Sequence, residues 1–488
     1  MDKEKYLKTI NEVIAKGPFK EEWSSLTDME IPSWFYKAKF GIFIHWGVFS
    51  VPAFANEWYS RNMYVEGSRE YEHHIKTYGP HKDFGYKDFI PMFKAEKFNP
   101  DEWAEIFKDA GAKYIVPVAE HHDGFQMYNS ELSEFCAAKM GPKRDVIGEL
   151  KESFEKKGLV FATSTHRAEH LWFMGCGRSF ESDINKEYKV GDFYWPSLAT
   201  QPDQGDKFSE PYPTEEFLTD WLLRTCEIID KYQPRILYFD WWIMHDGYKD
   251  TLKKIITYYY NRGAEWGTPT AVCYKDDALP FGAGIVDVER GKFANSKPYH
   301  WQTDTAIARN TWCYIDDIDY KTPRELVCYL VDVVAKNGNL LLNVGPKSDG
   351  TIPETDKHIL SEIGKWLKVN GEAIYNTKAY SIAAEGPTEE KEGKFSDEKD
   401  KKYTCKDFRF TAANGSIYAT CMSYPKDGKL AIESFAFKGM SGFNSIIKNV
   451  SILGYKGKVD YEQTDKALVV NGPVIDTEYP VVVKIELG

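Results

Sequence analysis

The sequence predicts an α/β protein: a (β/α)8-like (TIM) barrel, partly degenerate, followed by a C-terminal antiparallel β-sandwich domain. Three observations carry that prediction. Eight short β-branched or aromatic runs recur before residue 376, several of them separated by amphipathic stretches, the sequence form of repeated βα units. Nearly every run ends on a polar or titratable residue, as expected of strands that open onto one barrel mouth. Beyond residue 376 the rhythm changes to short strands spaced by turn residues. With 488 residues the chain exceeds what one hydrophobic core usually organises, so two domains are expected, 1–375 and 376–488.

The eight runs are 40–46, 113–122, 159–166, 235–242, 269–275, 284–289, 300–305 and 340–345. Intervening helices have readable ends. Pro100 with Asp101 and Glu102 behind it marks a first turn, and Gly111 lies just past the last. Thr322, Pro323 and Glu325 form a capping box for a helix through Leu326, Leu330 and Val333. Between the fifth, sixth and seventh runs there is no room for a full crossover helix, so that side of the barrel is expected to be degenerate. Residues 385–402, rich in Glu, Lys, Asp, Gly and Ser, read as a solvated loop. Strands are then expected at 408–411, 416–424, 430–437, 449–453, 467–471 and 481–487, with turns at Asn414-Gly415 and Asp427-Gly428.

Composition narrows the function. A net charge of −12 without a Lys/Arg cluster argues against nucleic acid. No window approaches 18 uninterrupted apolar residues, so no membrane span is expected. The N-terminus has no apolar signal-peptide core, which predicts a cytoplasmic chain, although a processed form would read the same. Eight scattered Cys without CxxC pairs read as reduced and mostly buried. Phosphate-binding glycine loops and GxSxG elbows are missing, which removes nucleotide and α/β-hydrolase readings. The 15% aromatic share fits either a large core or stacking platforms for sugar rings.

The chemistry sits at the strand ends. His45 closes the first run, His121-His122-Asp123 the second, His166 the third, Asp240 the fourth, Glu289 the sixth, and Gln302 with Asp304 the seventh. Asp240 follows the apolar Ile236-Leu237-Tyr238-Phe239. A carboxylate there loses hydration and must be held ionised by aimed donors, as a glycosidase nucleophile is. Retaining hydrolysis needs a second, protonated carboxyl about 5–5.5 Å away. Glu289, Glu57 and Asp304 are candidates, and Glu289 is best placed, because an ionised Asp240 across the mouth would raise its pKa. A salt bridge with Arg290 is the competing role for Glu289. Adjacent histidines on a strand point to opposite faces, so one metal could not take both His121 and His122 unless the strand has ended. Neutral imidazoles bonding sugar hydroxyls account for them without a metal or cofactor.

An ordered series of motifs resembles the retaining α-L-fucosidases, glycoside hydrolase family 29. It runs from Trp34-Phe35, Phe40-Gly41-Ile42-Phe43-Ile44-His45-Trp46-Gly47 and Glu57-Trp58-Tyr59 through Glu120-His121-His122-Asp123-Gly124-Phe125 and Gly141-Pro142-Lys143-Arg144-Asp145. It continues through Asp287-Val288-Glu289-Arg290-Gly291, Trp301-Gln302-Thr303-Asp304-Thr305 and Asn339-Leu340-Leu341-Leu342-Asn343-Val344-Gly345-Pro346. The resemblance implies an exo-acting enzyme that releases terminal α-L-fucosyl groups by double displacement. It implies Asp240 as nucleophile and Glu289 as acid/base, with His45, Glu57, Trp58, His121, His122, Tyr238 and Trp301 as sugar-binding positions. A fucosylated oligosaccharide is the implied substrate, with homo-oligomerisation left open. Tyr238, Thr165-His166-Arg167 and Lys275-Asp276-Asp277 depart from the usual family pattern, which bears on the fine sugar specificity and the leaving-group site but not on the nucleophile. The rival readings are a carbohydrate-binding barrel without turnover and a metal-dependent hydrolase.

Overall fold

The computed structural model describes residues 1–184, 188–397, 401–437 and 443–488. The barrel strands are β1 (Phe40–Ile44), β2 (Tyr114–Glu120), β3 (Val160–Phe161) with its continuation β4 (Thr163–Thr165), β5 (Ile236–Phe239), β6 (Ala271–Tyr274), β7 (Ile285–Glu289), β8 (Trp301–Ala306) and β9 (Gly338–Val344). Each of the eight expected runs is thus a strand. They pair in parallel around a closed ring, in which β9 meets β1 and β1 meets β2. Gly41 is fixed by this closure, because a Cβ there would sit 2.5 Å from the Tyr114 ring, which reaches across the interior to donate to Gln302 at 2.8 Å.

Helices cover most of the ring. Pro100–Asp109 is capped by Asn99, and Pro323–Ala335 carries the Thr322/Glu325 capping box. Glu215–Tyr232 and Lys249–Glu265 flank β5. No helix intervenes between β6 and β7 or between β7 and β8, the side expected to be degenerate. That side is covered instead by residues around Met29 and Tyr36 and by a strap from the C-terminal region. Gly393 donates to the Lys292 carbonyl at 3.0 Å and Phe395 to the Glu289 carbonyl at 2.9 Å.

The C-terminal strands form two antiparallel sheets. One orders β10 (Lys378–Glu385), β11 (Phe408–Ala413), β12 (Ser416–Cys421), β17 (Val481–Leu487) and β14 (Ile447–Ile452). The other orders β13 (Lys429–Ile432), β16 (Leu468–Asn471) and β15 (Asp460–Gln463). Phe408, Phe410, Ile417, Leu430, Val470 and Val483 pack between them, as alternating inward positions of a sandwich do. β10 and β15 were not expected. Both have largely exposed or half-exposed faces, so their alternation carries little apolar contrast.

The solvated-loop reading of 385–402 needs correction at Glu390. Its side chain is buried in an ion cluster with Lys292 at 2.6 Å and Arg409 at 2.7 Å, and Asp332 of the barrel helix accepts from Lys336 at 2.7 Å beside them. A charged run looks solvated in sequence because its partners lie up to a hundred residues away. Among the described residues no helix is long and apolar enough to cross a membrane.

Candidate active site

The barrel mouth holds a cavity of about 650 Å3, ample for a sugar ring with part of its leaving group. Strand ends build its floor. Asp240, immediately after β5, is only 13% exposed at its side chain but reaches the cavity. Its Oδ1 lies 3.0 Å from Lys275 Nζ, and its Oδ2 lies 3.3 Å from both His122 Nε2 and His166 Nδ1. Burial alone would raise its pKa, but Lys275, His166 and His122 outweigh burial and hold the carboxyl well below its ordinary value. Asp240 is therefore ionised.

Glu289, the last residue of β7, accepts from the same Lys275 Nζ at 2.9 Å. The bonded oxygens of Asp240 and Glu289 can thus be no more than 5.9 Å apart, the sum of their two distances to Nζ. Burial raises Glu289 and Lys275 opposes it, while the charges of Asp304 and Asp240 push it further, to about 7. One carboxyl is kept charged and its neighbour is poised to hold a proton near neutrality, the division that general acid catalysis beside a nucleophile requires.

Lys275 follows β6 and also lies 3.3 Å from Asp304 Oδ2. Burial lowers its pKa, but Asp240, Asp304 and Glu289 more than reverse this, so it stays charged. In the sequence Lys275 stands out only as a departure in a motif. Its position at a strand end was the available signal.

β2 ends at Glu120, so the chain has already turned where His121 and His122 stand. The alternation rule does not separate them, and both line the cavity. His122 faces Asp240 through Nε2 and Glu169 through Nδ1 at 3.2 Å. Burial lowers it, but Glu169 and Asp240 carry it up to about 9. Burial drives Glu169 well above its ordinary range, which leaves it protonated. The charge on His122 is therefore paired with Asp240 through Nε2. Asp123, by contrast, is used locally: it accepts from Tyr86 Oη at 2.7 Å and the Phe125 amide at 3.0 Å.

His45 Nδ1 lies 2.6 Å from Asn343 Oδ1, which makes Nδ1 the protonated nitrogen and leaves Nε2 as an acceptor. Burial keeps His45, His121 and His166 neutral. These three offer nitrogens within 4.8 Å of one another, as do ligand atoms of His122, His166 and Asp240. Either set could hold a divalent metal, and the same neutral imidazoles suit sugar hydroxyls. Glu57 also lines the cavity, accepts from the Trp312 amide at 3.0 Å and is raised by burial. Trp58 presents its indole to the cavity, supported by Phe173 at 5.0 Å.

Two expected binding positions lie elsewhere. Trp301 begins β8 at the far end of the barrel, fully buried, with Nε1 donating to the Lys336 carbonyl at 2.9 Å. Tyr238 lies beneath the cavity floor, where its hydroxyl donates to Asp304 at 2.8 Å. The same hydroxyl lies 3.4 Å from Asp287 Oδ1. Conversely, the cavity is lined by residues not assigned a binding role from the sequence: His166, named only as a strand end, Lys275 and Trp312, with Trp241, Lys394 and Phe395 nearer the rim. Trp312 packs at a tilt beside His45 at 5.3 Å and lies under the Arg290 guanidinium at 4.5 Å. It lies in the long segment after β8, where no periodicity marks it.

Comparison with known proteins agrees with this architecture. The sequence model described as "Alpha-L-fucosidase" matches residues 7–372, and that described as "Alpha-L-fucosidase C-terminal domain" matches 400–486. The tissue alpha-L-fucosidase of Homo sapiens is 29% identical over 468 residues, 93% of this chain and 87% of that protein. The plasma alpha-L-fucosidase of Homo sapiens is 34% identical over 74% of this chain and 73% of that protein. The crystal structure of Thermotoga maritima alpha-fucosidase superposes with a TM-score of 0.76 at 29% identity, covering 96% of this chain and all of the other.

Proposed function

From the premise that this chain belongs to the α-L-fucosidase family and hydrolyses α-L-fucosyl linkages of glycans, we propose that it acts on terminal fucose by a retaining double displacement at Asp240 and Glu289. The observation that carries the mechanism is the shared lysine. It brings two carboxyls of opposite protonation tendency within 5.9 Å at their nearest oxygens, an upper bound that admits the retaining spacing of about 5–5.5 Å.

In the first step Asp240 attacks the anomeric carbon, the glycosidic C–O bond breaks, and Glu289 gives its proton to the departing oxygen. Asp240 is then an ester and no longer charged, so Glu289 is left as the anion beside Lys275. In the second step Glu289 takes a proton from water, whose oxygen attacks the anomeric carbon and releases Asp240. His45, His121, Glu57 and Trp58 are assigned to the sugar hydroxyls and ring, with His166 and Trp312 added from the cavity wall.

Two measurements test the proposal. NMR of nitrophenyl α-L-fucoside hydrolysis should show α-L-fucose formed first; β-L-fucose formed first would overturn retention. Asp240→Gly should lose turnover of that substrate, with azide restoring part of it, and undiminished activity in the variant would remove Asp240 from its role.

A further inference from the structure

The strap at 393–397 belongs to the C-terminal region yet reaches the barrel mouth. Gly393, Phe395 and Asp397 donate from their amides to the carbonyls of Lys292, Glu289 and Arg290 at 3.0, 2.9 and 3.0 Å. The approach is close enough that a Cβ on Gly291 would stand 1.9 Å from the Gly393 oxygen, so glycine is required there. The far end is pinned by Asp397, which accepts from Thr305 Oγ1 at 2.9 Å and pairs with Lys321. Lys394 is held by Asp276 across the rim.

Phe395 is the anomaly in this strap. Its backbone is left-handed, at φ 56°, which bulky residues avoid. The residue is nevertheless 64% exposed and lies on the rim of the cavity. Neither core packing nor solvation favours an exposed phenyl group in a disfavoured backbone conformation, and such outliers concentrate where ligands are held. Trp241, next to the nucleophile, lines the same cavity and is only partly buried. The catalytic carboxyls lie at the cavity floor, so whatever the fucosyl group is attached to must leave past this rim.

We propose that Phe395, presented by the C-terminal strap, is a platform for the leaving group, stacking on the apolar face of an uncharged pyranose or on an aromatic aglycone. The inference rests on the fucosidase reading above. It makes the second domain part of substrate selection, because the residue that grips the departing sugar and the amide that ties down the Glu289 carbonyl are one and the same.

The test compares substrates with and without a leaving group to grip. Wild type and Phe395→Ala are assayed with α-L-fucosyl fluoride, nitrophenyl α-L-fucoside and a fucosyl-galactose disaccharide. Phe395→Ala should lose about threefold to tenfold in kcat/KM on the last two while fluoride turnover stays within about twofold, and Phe395→Tyr should restore both. Equal loss on all three substrates would overturn the proposal, since the residue would then act through the fucosyl site or through folding, and loss confined to the disaccharide, whose leaving group alone depends strongly on proton donation, would overturn it in favour of an action through Glu289. Unchanged kinetics on all three would overturn it as well. Failure of wild type to release fucose from the fluoride would refute the fucosidase reading itself and is read separately.

Discussion

Replacing Lys275 by methionine removes the charge while keeping most of the volume. Its ammonium lies 3.0 Å from Asp240, 2.9 Å from Glu289 and 3.3 Å from Asp304, and it opposes the rise of Glu289 to about 7. At about 3 Å and an effective dielectric of about 20, one such pair is worth on the order of 5 kcal/mol before water enters and the carboxyls relax. Observed shifts for a carboxyl beside a single cation are about 1–3 pH units. Lys275→Met should therefore move the basic limb of kcat/KM, set by Glu289, from near 7 upward by about 1–3 pH units. The acid limb, set by Asp240, should move up as well, because its largest favourable partner is gone. The maximum should fall, since a partly protonated Asp240 is a poorer nucleophile. The assay is kcat/KM for nitrophenyl fucoside against pH in both proteins. A basic limb that stays put or moves down would refute the shared-lysine argument.

Other consequences are more local. Asp332, fully buried among Lys292, Lys336 and Arg409, is held well below its ordinary pKa by those cations despite burial. Asp332→Asn should cost about 3–5 kcal/mol at pH 7 by denaturant unfolding; a group with a depressed folded pKa stabilises above its unfolded value, so the gap to wild type should shrink as pH falls below about 4, and a constant gap down to pH 2 would contradict this. Trp301→Phe should lower the unfolding midpoint, because the Lys336 carbonyl loses its donor, and leave KM unchanged. Trp312→Ala should raise KM about tenfold with little change in midpoint, and the reverse pattern for these two tryptophans would return Trp301 to the site.

Much of this was legible in the chain because strand ends are local features. An apolar run closing on His45, Asp240 or Glu289 announces both the strand and the face its last side chain joins, and all three line the cavity. What could not be read depends on partners distant in sequence. Lys275 gains its role from three carboxylates on other strands, and Trp312 from the way its segment folds back on His45. Trp301 misled because its motif spans a whole strand: the first residue of β8 lies at one end of the barrel, whereas Asp304 lies near the mouth. Glu390 misled in the opposite direction, as a buried ion-pair member inside a stretch of surface composition. The strap at 393–397 gave no signal, since its strand-like pairing to Glu289 uses backbone amides alone.

The most direct test of the central claim is to trap the covalent intermediate with 2-deoxy-2-fluoro-α-L-fucosyl fluoride, digest the protein, and locate the added fluorofucosyl mass by tandem mass spectrometry. The account predicts a single labelled peptide with the sugar esterified to Asp240. A label on Glu289, on Asp304 or on another residue, or complete inactivation with no covalent label, would contradict it.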